Sequence, residues 1–314
     1  MKFNYLKIIL IIYLLIACEA FAKETCLFIE SKELEQINTL IKGFSESFPN
    51  AEISVLDLKG ERDTEKVKEF IGKTAPSVIV CFGSLSANTA IPLEKKIPII
   101  FSMVINYSRY PELQQENVTG VSMEIPAETL FTQFRMLLPE IRSVGVPFHP
   151  SVSSEILTEA MNASKKVGIE LVAVKVENPD EIKSRLAENE KKYSGLWMLA
   201  DTRLYNSKTD AIYDLFSFSK EKKKPVLAFS EAFLKPGAFF SISIDYRSLG
   251  SQIAMISKRL VQDKTPASKI PVGPPIGTFT AINKNVASDL LGDKLDESIF
   301  DEVDKIYPEE GSKN

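Results

Sequence analysis

Short apolar segments alternate with amphipathic helical patterns along most of this chain of 314 residues, and this alternation constrains the fold more than any other feature. Segments that are apolar at nearly every position are typical of strands buried on both faces, as in a parallel sheet covered by helices. The pattern therefore predicts an α/β protein with doubly wound parallel sheets. We predict such strands at residues 25–29, 77–82, 97–101, 143–148, 170–176, 195–199 and 225–229.

Amphipathic patterns between these segments predict the helices that cover the sheets. Leu249, Ile253 and Ile256 form one apolar stripe at helical spacing, and Leu130 and Phe134 begin another. A domain typically holds about 150 residues, so the length of the chain predicts two domains. In open α/β sheets ligands bind beyond the carboxyl ends of the strands, so the residues that follow each predicted strand form the candidate site.

Charge and composition exclude several classes of function. The chain has 38 basic and 42 acidic residues, without the excess of Lys and Arg that a nucleic-acid-binding surface needs. Its single histidine and three cysteines cannot form a four-cysteine zinc site, and no Gly-x-Ser-x-Gly or nucleotide-binding glycine loop occurs. We therefore predict no catalytic residue, no metal, no cofactor and no nucleic-acid partner, and thus a protein that is not an enzyme.

The first 22 residues have the pattern of a secretory signal peptide. Lys2 and Lys7 precede an apolar run at residues 8–17, which is too short to span a bilayer. Two processing sites compete: the small residues around Ala22 suit signal peptidase, whereas residues 15–18 resemble a bacterial lipobox in which Cys18 would be lipidated. Both routes place the mature protein outside the cytoplasmic membrane, either free in the periplasm or held by a lipid anchor.

Export would expose cysteines to an oxidising compartment, so a disulfide between Cys26 and Cys81 has to be considered. If their strands are parallel neighbours, the two residues are offset by about three positions of roughly 3.3 Å each, beyond the reach of a disulfide of about 7 Å. We expect two buried free thiols.

Small or acidic polar residues follow most of the predicted strands. A serine after a strand can cap the next helix, whose exposed N–H groups then attract a carboxylate or phosphate. Each serine is therefore either a ligand contact or only a helix cap. Asp201 is either the cap of a helix that begins near Asn206 or the counter-charge for a ligand ammonium. The predicted polar contacts are Ser84, Ser102, Ser151, Asp201 and Glu231.

Aromatic residues near the strand ends could provide the wall for an apolar ligand side chain. Phe148 and Phe229 are the predicted members of this wall, and packing in the core is their alternative role. His149 follows the same strand as Phe148 and is expected to be exposed or hydrogen bonded.

Three stretches of the chain resemble one family. They are Asn-Val-Thr-Gly-Val-Ser at residues 117–122, the Gly-Ala to Asp-Tyr-Arg-Ser-Leu-Gly stretch at 237–250, and Ile-Pro-Val at 270–272 before Asn283. The family is the ABC-transporter substrate-binding family that includes tryptophan- and tyrosine-type solute receptors. The resemblance extends from about residue 77 to residue 303.

This resemblance implies the type I periplasmic binding fold, in which two doubly wound lobes are joined by three crossovers and close on a ligand. The first lobe would contain residues 23–122 and 245–276, and the second lobe residues 123–244 and 277–314. Asp201 matches the family's Thr-Asp-Asn segment and Ser84 its Gly-Thr segment. This chain differs where it has Asn106-Tyr107 in place of the family's Asp-Pro.

The function that the resemblance implies is that of an exported, monomeric receptor. It would bind a small ligand, with an amino acid or similar carboxylate favoured, and deliver it to an ABC permease in the inner membrane. The alternative is a ligand-sensing subunit that uses the same fold to signal to a membrane partner.

Overall fold

Two mainly parallel sheets form the framework of the protein in a computed structural model, which describes residues 23–309. The predicted signal peptide, both processing sites and Cys18 lie outside the described residues. The chain divides into two units and passes between them three times. Unit 1 contains the described residues up to Glu124 and Tyr246–Gly277, whereas unit 2 contains Ile125–Asp245 and the described residues from Thr278 onward.

Unit 1 contains a five-stranded sheet in the order β2-β1-β3-β4-β5, in which all neighbouring strands are parallel. This order is that of a doubly wound sheet, because the chain moves outward from β1 in both directions. The strands are β1 (Glu24–Glu30), β2 (Ala51–Asp57), β3 (Val78–Phe82), β4 (Ile99–Ser102) and β5 (Val118–Gly120).

Unit 2 contains a seven-stranded sheet in the order β12-β11-β10-β9-β8-β6-β7. Its neighbours are parallel except for β10 and β11, which are antiparallel. The strands are β6 (Ser143–Phe148), β7 (Glu170–Lys175), β8 (Gly195–Trp197), β9 (Val226–Ala228), β10 (Phe240–Ile244), β11 (Thr278–Asn283) and β12 (Lys305–Tyr307).

Nine α-helices lie within residues 23–309, and no helix in that range is both long and apolar enough to cross a membrane. Their apolar faces cover the sheets, and the predicted stripe from Leu249 to Leu260 is buried in α8. The helices are α1 (Glu35–Ser47), α2 (Thr64–Thr74), α3 (Ser84–Ala90), α4 (Ala127–Leu137), α5 (Pro150–Lys166), α6 (Ile182–Glu188), α7 (Ala211–Lys222), α8 (Tyr246–Val261) and α9 (Lys284–Leu291).

The seven predicted strands are all present, although several end earlier or later than expected. The strand predicted at 195–199, for example, ends at Trp197. The sequence pattern did not predict β2, β5, β10, β11 or β12. In β2 only Leu56 is buried, so this strand at the edge of its sheet has no continuous apolar run. Serine alternates with apolar residues in β10, and β5 and β12 have three residues each.

Helices α1 and α8 pack closely because each has a glycine at the crossing. A Cβ atom built on Gly43 would lie 2.0 Å from the carbonyl oxygen of Arg247, and one built on Gly250 would lie 1.9 Å from that of Leu40. Arg247 also makes a bidentate ion pair with Glu46, with N–O distances of 2.9 and 2.8 Å. The last glycine of the 237–250 stretch is therefore needed for helix contact.

The 117–122 stretch holds β5 in place within unit 1. The Asn117 side-chain amide donates to the carbonyl oxygen of Ile97 at 3.0 Å, and the Thr119 hydroxyl donates to that of Ile270 at 2.8 Å. Gly120 lies against Phe101, where a Cβ atom would be 2.6 Å from the ring. These contacts explain why this stretch needs an amide, a hydroxyl and a glycine.

The prediction for the two cysteines is confirmed. Strands β1 and β3 are parallel neighbours, and Cys81 is in register with Ile29, three residues beyond Cys26. Both thiols are buried and free. Burial, with a smaller contribution from Glu24, raises the pKa of the Cys26 thiol to about 12, and burial also raises that of Cys81. Neither thiol is therefore a reactive thiolate at neutral pH.

Candidate ligand-binding site

The carboxyl ends of the parallel strands of unit 1 carry a row of side chains on one face of the sheet. Glu30 is in register with Asp57 on one side and with Phe82 on the other, and Phe82 is in register with Ser102. Residues in register on neighbouring strands project from the same face. The row therefore places two carboxyl groups and one hydroxyl at the edge where ligands bind in such sheets.

Glu30 is a buried carboxyl group that the sequence analysis did not single out. It is only 5% exposed, and no hydrogen bond to its side chain is found among residues 23–309. Burial, followed by the negative charges of Asp57 and Glu33, raises its pKa from the usual 4.5 to about 7. The available signal was a charged residue at the end of an otherwise apolar strand.

Glu30 is expected to make the protein less stable as the pH rises. Its pKa is higher in the folded state than in the unfolded state, so the stabilisation is complete below about pH 4.5 and is lost as the pH passes through about 7. The difference in unfolding free energy between Glu30→Gln and wild type should therefore grow by roughly 1–3 kcal/mol in favour of the variant between pH 4.5 and 8. Urea denaturation at several pH values measures this difference.

Glu52→Gln is the matched control, because Glu52 is an exposed carboxylate on the neighbouring strand β2. Its stability difference from wild type should stay constant over the same pH range. Equal pH slopes for Glu30→Gln and Glu52→Gln would show that Glu30 has no special environment.

Neither Ser84 nor Ser102 caps a helix with its hydroxyl, which was the alternative role considered for each serine. Ser84 is the first residue of α3, and the cap position is Gly83, which has a φ of 89°. The hydroxyl that binds the start of this helix belongs to Ser31, which accepts from the N–H of Ser86 at 3.1 Å. Ser102 lies in β4, is 0% exposed, and its hydroxyl has no hydrogen-bond partner among the described residues.

Glu124, which follows β5, is a second carboxylate that the sequence analysis did not identify. Its Oε1 atom accepts a hydrogen bond of 2.6 Å from the backbone N–H of Asn106, whose φ is 55°. Its Oε2 atom is buried and has no partner within the described part of the chain. The carboxylate thus holds the Asn106-Tyr107 segment, the place where the sequence departs from the family pattern, and keeps one acceptor unused.

In unit 2, Asp201 is 2% exposed, and its carboxylate accepts four hydrogen bonds. Oδ2 accepts from the His149 N–H at 2.8 Å and the Ser153 hydroxyl at 2.7 Å. Oδ1 accepts from the N–H groups of Arg203 and Leu204 at 2.9 and 3.1 Å. Asp201 therefore joins the turn after β8 to the start of α5.

The helix expected near Asn206 begins instead at Ala211, with Asp210 at its cap position, so the alternative that Asp201 caps this helix does not hold. The residues between Asp201 and Ala211 form turns, and Tyr205 donates its N–H to the carbonyl oxygen of Asp201 at 2.9 Å. Contact between Asp201 and a ligand stays a prediction. The four donors from unit 2 compete with that role.

The residues predicted after β6 have local partners. His149 occupies the cap position of α5, and its Nδ1 atom accepts from the N–H of Ser151 at 3.2 Å. The Ser151 hydroxyl lies 2.8 Å from the same nitrogen. Phe148 is partly buried and packs against the core cluster that contains Phe131 and Trp197.

The residues predicted after β9 lie in a different part of unit 2. Phe229 packs edge-on against Phe233, with 4.9 Å between the ring centroids, in a separate core cluster from that of Phe148. Glu231 forms an ion pair of 3.3 Å with Lys305. The expected aromatic wall of Phe148 and Phe229 is thus divided between two clusters, and the charge of Glu231 already has a partner. Their contact with a ligand stays a prediction.

Comparison with known proteins gives a consistent result. The family model for the ABC transporter substrate binding protein matches residues 35–306 of this chain. A relative named Tyrosine-binding protein, from Clostridioides difficile (strain R20291), is 24% identical over 244 residues, which are 76% of this chain and 68% of that protein.

Solved structures match most of the chain. A substrate binding protein with adhesive properties from Clostridium difficile, in a ligand-free, open form, has a TM-score of 0.70 and 18% identity over 85% of this chain and 94% of its own. An ABC domain from Streptococcus pneumonia in complex with L-Trp has a TM-score of 0.56 and 20% identity over 90% and 99%. These matches confirm the predicted α/β fold.

Proposed function

The chain belongs to the ABC transporter substrate binding protein family, and we propose that it is an extracytoplasmic receptor for an amino acid or a similar small carboxylate. The protein is a binding protein, not an enzyme, as the family and its relatives are. In this proposal it works as a monomer and delivers its ligand to an ABC permease. Export through a signal peptide, with or without lipidation at Cys18, is part of the same proposal.

Two relatives support the choice of ligand class. The Tyrosine-binding protein matches 76% of this chain, and the structure that holds L-Trp has the same fold. Ser84 and Ser151, each following a strand, remain the proposed contacts for a ligand carboxylate. Closure of the two lobes on the ligand is also part of this proposal. A ligand favours closure only if it contacts both lobes.

Titration calorimetry with purified protein tests the ligand class. We expect at least one of the twenty amino acids to bind at one site per chain, with L-tyrosine and L-tryptophan as the first candidates. Small-angle scattering should show a smaller radius of gyration when that amino acid is added. D-ribose and L-arabinose serve as controls, and a sugar that binds when no amino acid or organic acid does would overturn the proposal.

Delivery to a permease is tested separately in cells. Uptake of the radiolabelled amino acid should fall when the gene for this protein is deleted and recover when it is restored. Unchanged uptake, with binding intact in vitro, would refute delivery and favour the alternative of a ligand-sensing subunit.

A further inference from the structure

We propose that unit 1 receives the positively charged end of the ligand, through the carboxylate of Glu124 together with the carboxyl groups of Glu30 and Asp57 at the ends of β1 and β2. This inference rests on the proposed function, because it assumes a ligand that carries an ammonium group. It differs from the alternative given in the sequence analysis, in which Asp201 of unit 2 would supply the counter-charge.

Glu124 is the main support for this inference, because only one of its two carboxylate oxygens has a hydrogen-bond donor among the described residues. The hydrogen bond of 2.6 Å from Asn106 fixes Oε1, so the orientation of the group is set before any ligand arrives. Oε2 is buried without a partner among residues 23–309. A buried acceptor without a donor is costly and rare in native proteins, and a charged ligand donor would remove that cost.

A second, independent observation comes from the neighbouring strands. The Ser102 hydroxyl is fully buried and has no hydrogen-bond partner in the part of the chain that the structure describes, and it lies on the same sheet face as Glu30 and Asp57. Strand β4, which ends at Ser102, pairs with β5, and Glu124 follows β5 by four residues. Unpartnered oxygen atoms thus follow two adjacent strands at one edge of the sheet.

The charges nearest Glu30, on a strand separated from β5 by β3 and β4, are mainly acidic. Asp57 and Glu33 both raise the pKa of Glu30, so their negative charges act on it. Lys66 on α2 donates to the backbone carbonyl oxygen of Asp57 at 3.0 Å. The ion pairs found among the described residues include neither Glu30 nor Glu124. A cationic or hydrogen-bond-donating group of the ligand therefore fits beside the carboxyl groups of Glu30 and Glu124.

The carboxylate of Asp201 in unit 2 is less available to a ligand ammonium than that of Glu124. Each oxygen of Asp201 already accepts two hydrogen bonds from groups of unit 2. Bringing an ammonium to Asp201 would require at least one of these donors to lose its acceptor. At Glu124 an ammonium would gain an acceptor without displacing a donor.

The test compares Glu124→Gln with wild type, using L-tyrosine and its deaminated analogue as probes. The glutamine keeps an oxygen for the Asn106 N–H but replaces the free acceptor by a donor. Calorimetry should show that L-tyrosine binds the variant about ten- to a hundredfold more weakly, the loss expected for one charge-assisted hydrogen bond. The analogue lacks the ammonium, so its affinity should be nearly the same for both proteins.

Glu30→Gln should weaken L-tyrosine binding less than Glu124→Gln, because Glu30 would act on the ammonium chiefly through its charge. Glu116→Gln is the matched control, since Glu116 is an exposed carboxylate of unit 1 just before β5, and its affinity should equal that of wild type. Thermal unfolding without ligand should show Glu124→Gln to be no less stable than wild type. A merely structural Glu124 would instead lower the unfolding temperature.

The outcomes separate this inference from the proposed function. If L-tyrosine, or another amino acid found in the titration, binds wild type and Glu124→Gln equally well, the inference is overturned and the proposed function stands. It is also overturned if the deaminated analogue loses as much affinity as the amino acid. If wild type binds an organic acid but no amino acid, the inference fails and the proposed function stands; if it binds neither, both fail.

Discussion

Replacing Gly250 by alanine should lower the free energy of unfolding by about 3 kcal/mol or more. The added Cβ atom would lie 1.9 Å from the backbone carbonyl oxygen of Leu40, and backbone cannot move aside as the end of a flexible side chain can. Helices α1 and α8 would have to separate, which would also loosen the buried contacts of Phe44. Urea denaturation followed by circular dichroism measures the loss.

Gly72→Ala is the matched control for this effect. Gly72 lies in α2, and a Cβ atom built on it would meet nothing within 4 Å. Alanine is a better helix former than glycine, so this variant should be more stable than wild type by roughly 0.5–1 kcal/mol. If Gly250→Ala behaved like Gly72→Ala, the close crossing of the two helices would be refuted.

Asp201→Asn should destabilise the protein by about 2–4 kcal/mol, because the amide cannot accept the four hydrogen bonds that the carboxylate accepts. Its nitrogen must face two donors, whichever way the amide is turned. Ser153→Ala is the comparison, since it removes one donor and leaves the carboxylate charged. That variant should lose only about 1 kcal/mol. Thermal and urea unfolding measure both.

The competing prediction for Asp201 gives the opposite pattern. A carboxylate whose main role is to bind the ligand ammonium would leave stability nearly unchanged in Asp201→Asn and lower the affinity about ten- to a hundredfold. Calorimetric titration of the variant with L-tyrosine therefore decides between the two roles. Weakened binding without loss of stability would also contradict the assignment of the positive charge to Glu124.

Much of the framework follows from sequence patterns that are local. Residues 77–82 and 143–148 are apolar almost throughout, and both form buried strands. The offset between Cys26 and Cys81 could be predicted because parallel pairing and strand rise are regular. Strand β2 could not be predicted in this way, because it lies at an edge and exposes most of its side chains.

The candidate site was harder to predict, because its contacts join distant parts of the chain. Ser84 follows its strand by two residues, yet the hydroxyl that binds the start of α3 comes from Ser31, 55 residues before Ser86. Glu124 appears in the sequence as an ordinary polar residue after β5. Its importance depends on the left-handed backbone of Asn106, 18 positions earlier, which no local pattern indicates.

The close pairing of α1 with α8 also determines the order in which the chain can complete its units. Arg247 of α8 forms its ion pair with Glu46 of α1, which lies 201 residues earlier in the sequence. During synthesis from the amino end, the chain therefore contains all five strands of unit 1 long before α8. Until then the backbone at Leu40 and Phe44 lacks the contact with Gly250 that it has in the folded protein. The sheet of unit 2 likewise lacks β11, which lies between β10 and β12, until that segment has been made. Both units are therefore finished only by the last quarter of the polypeptide, and a chain truncated before Tyr246 completes neither of them.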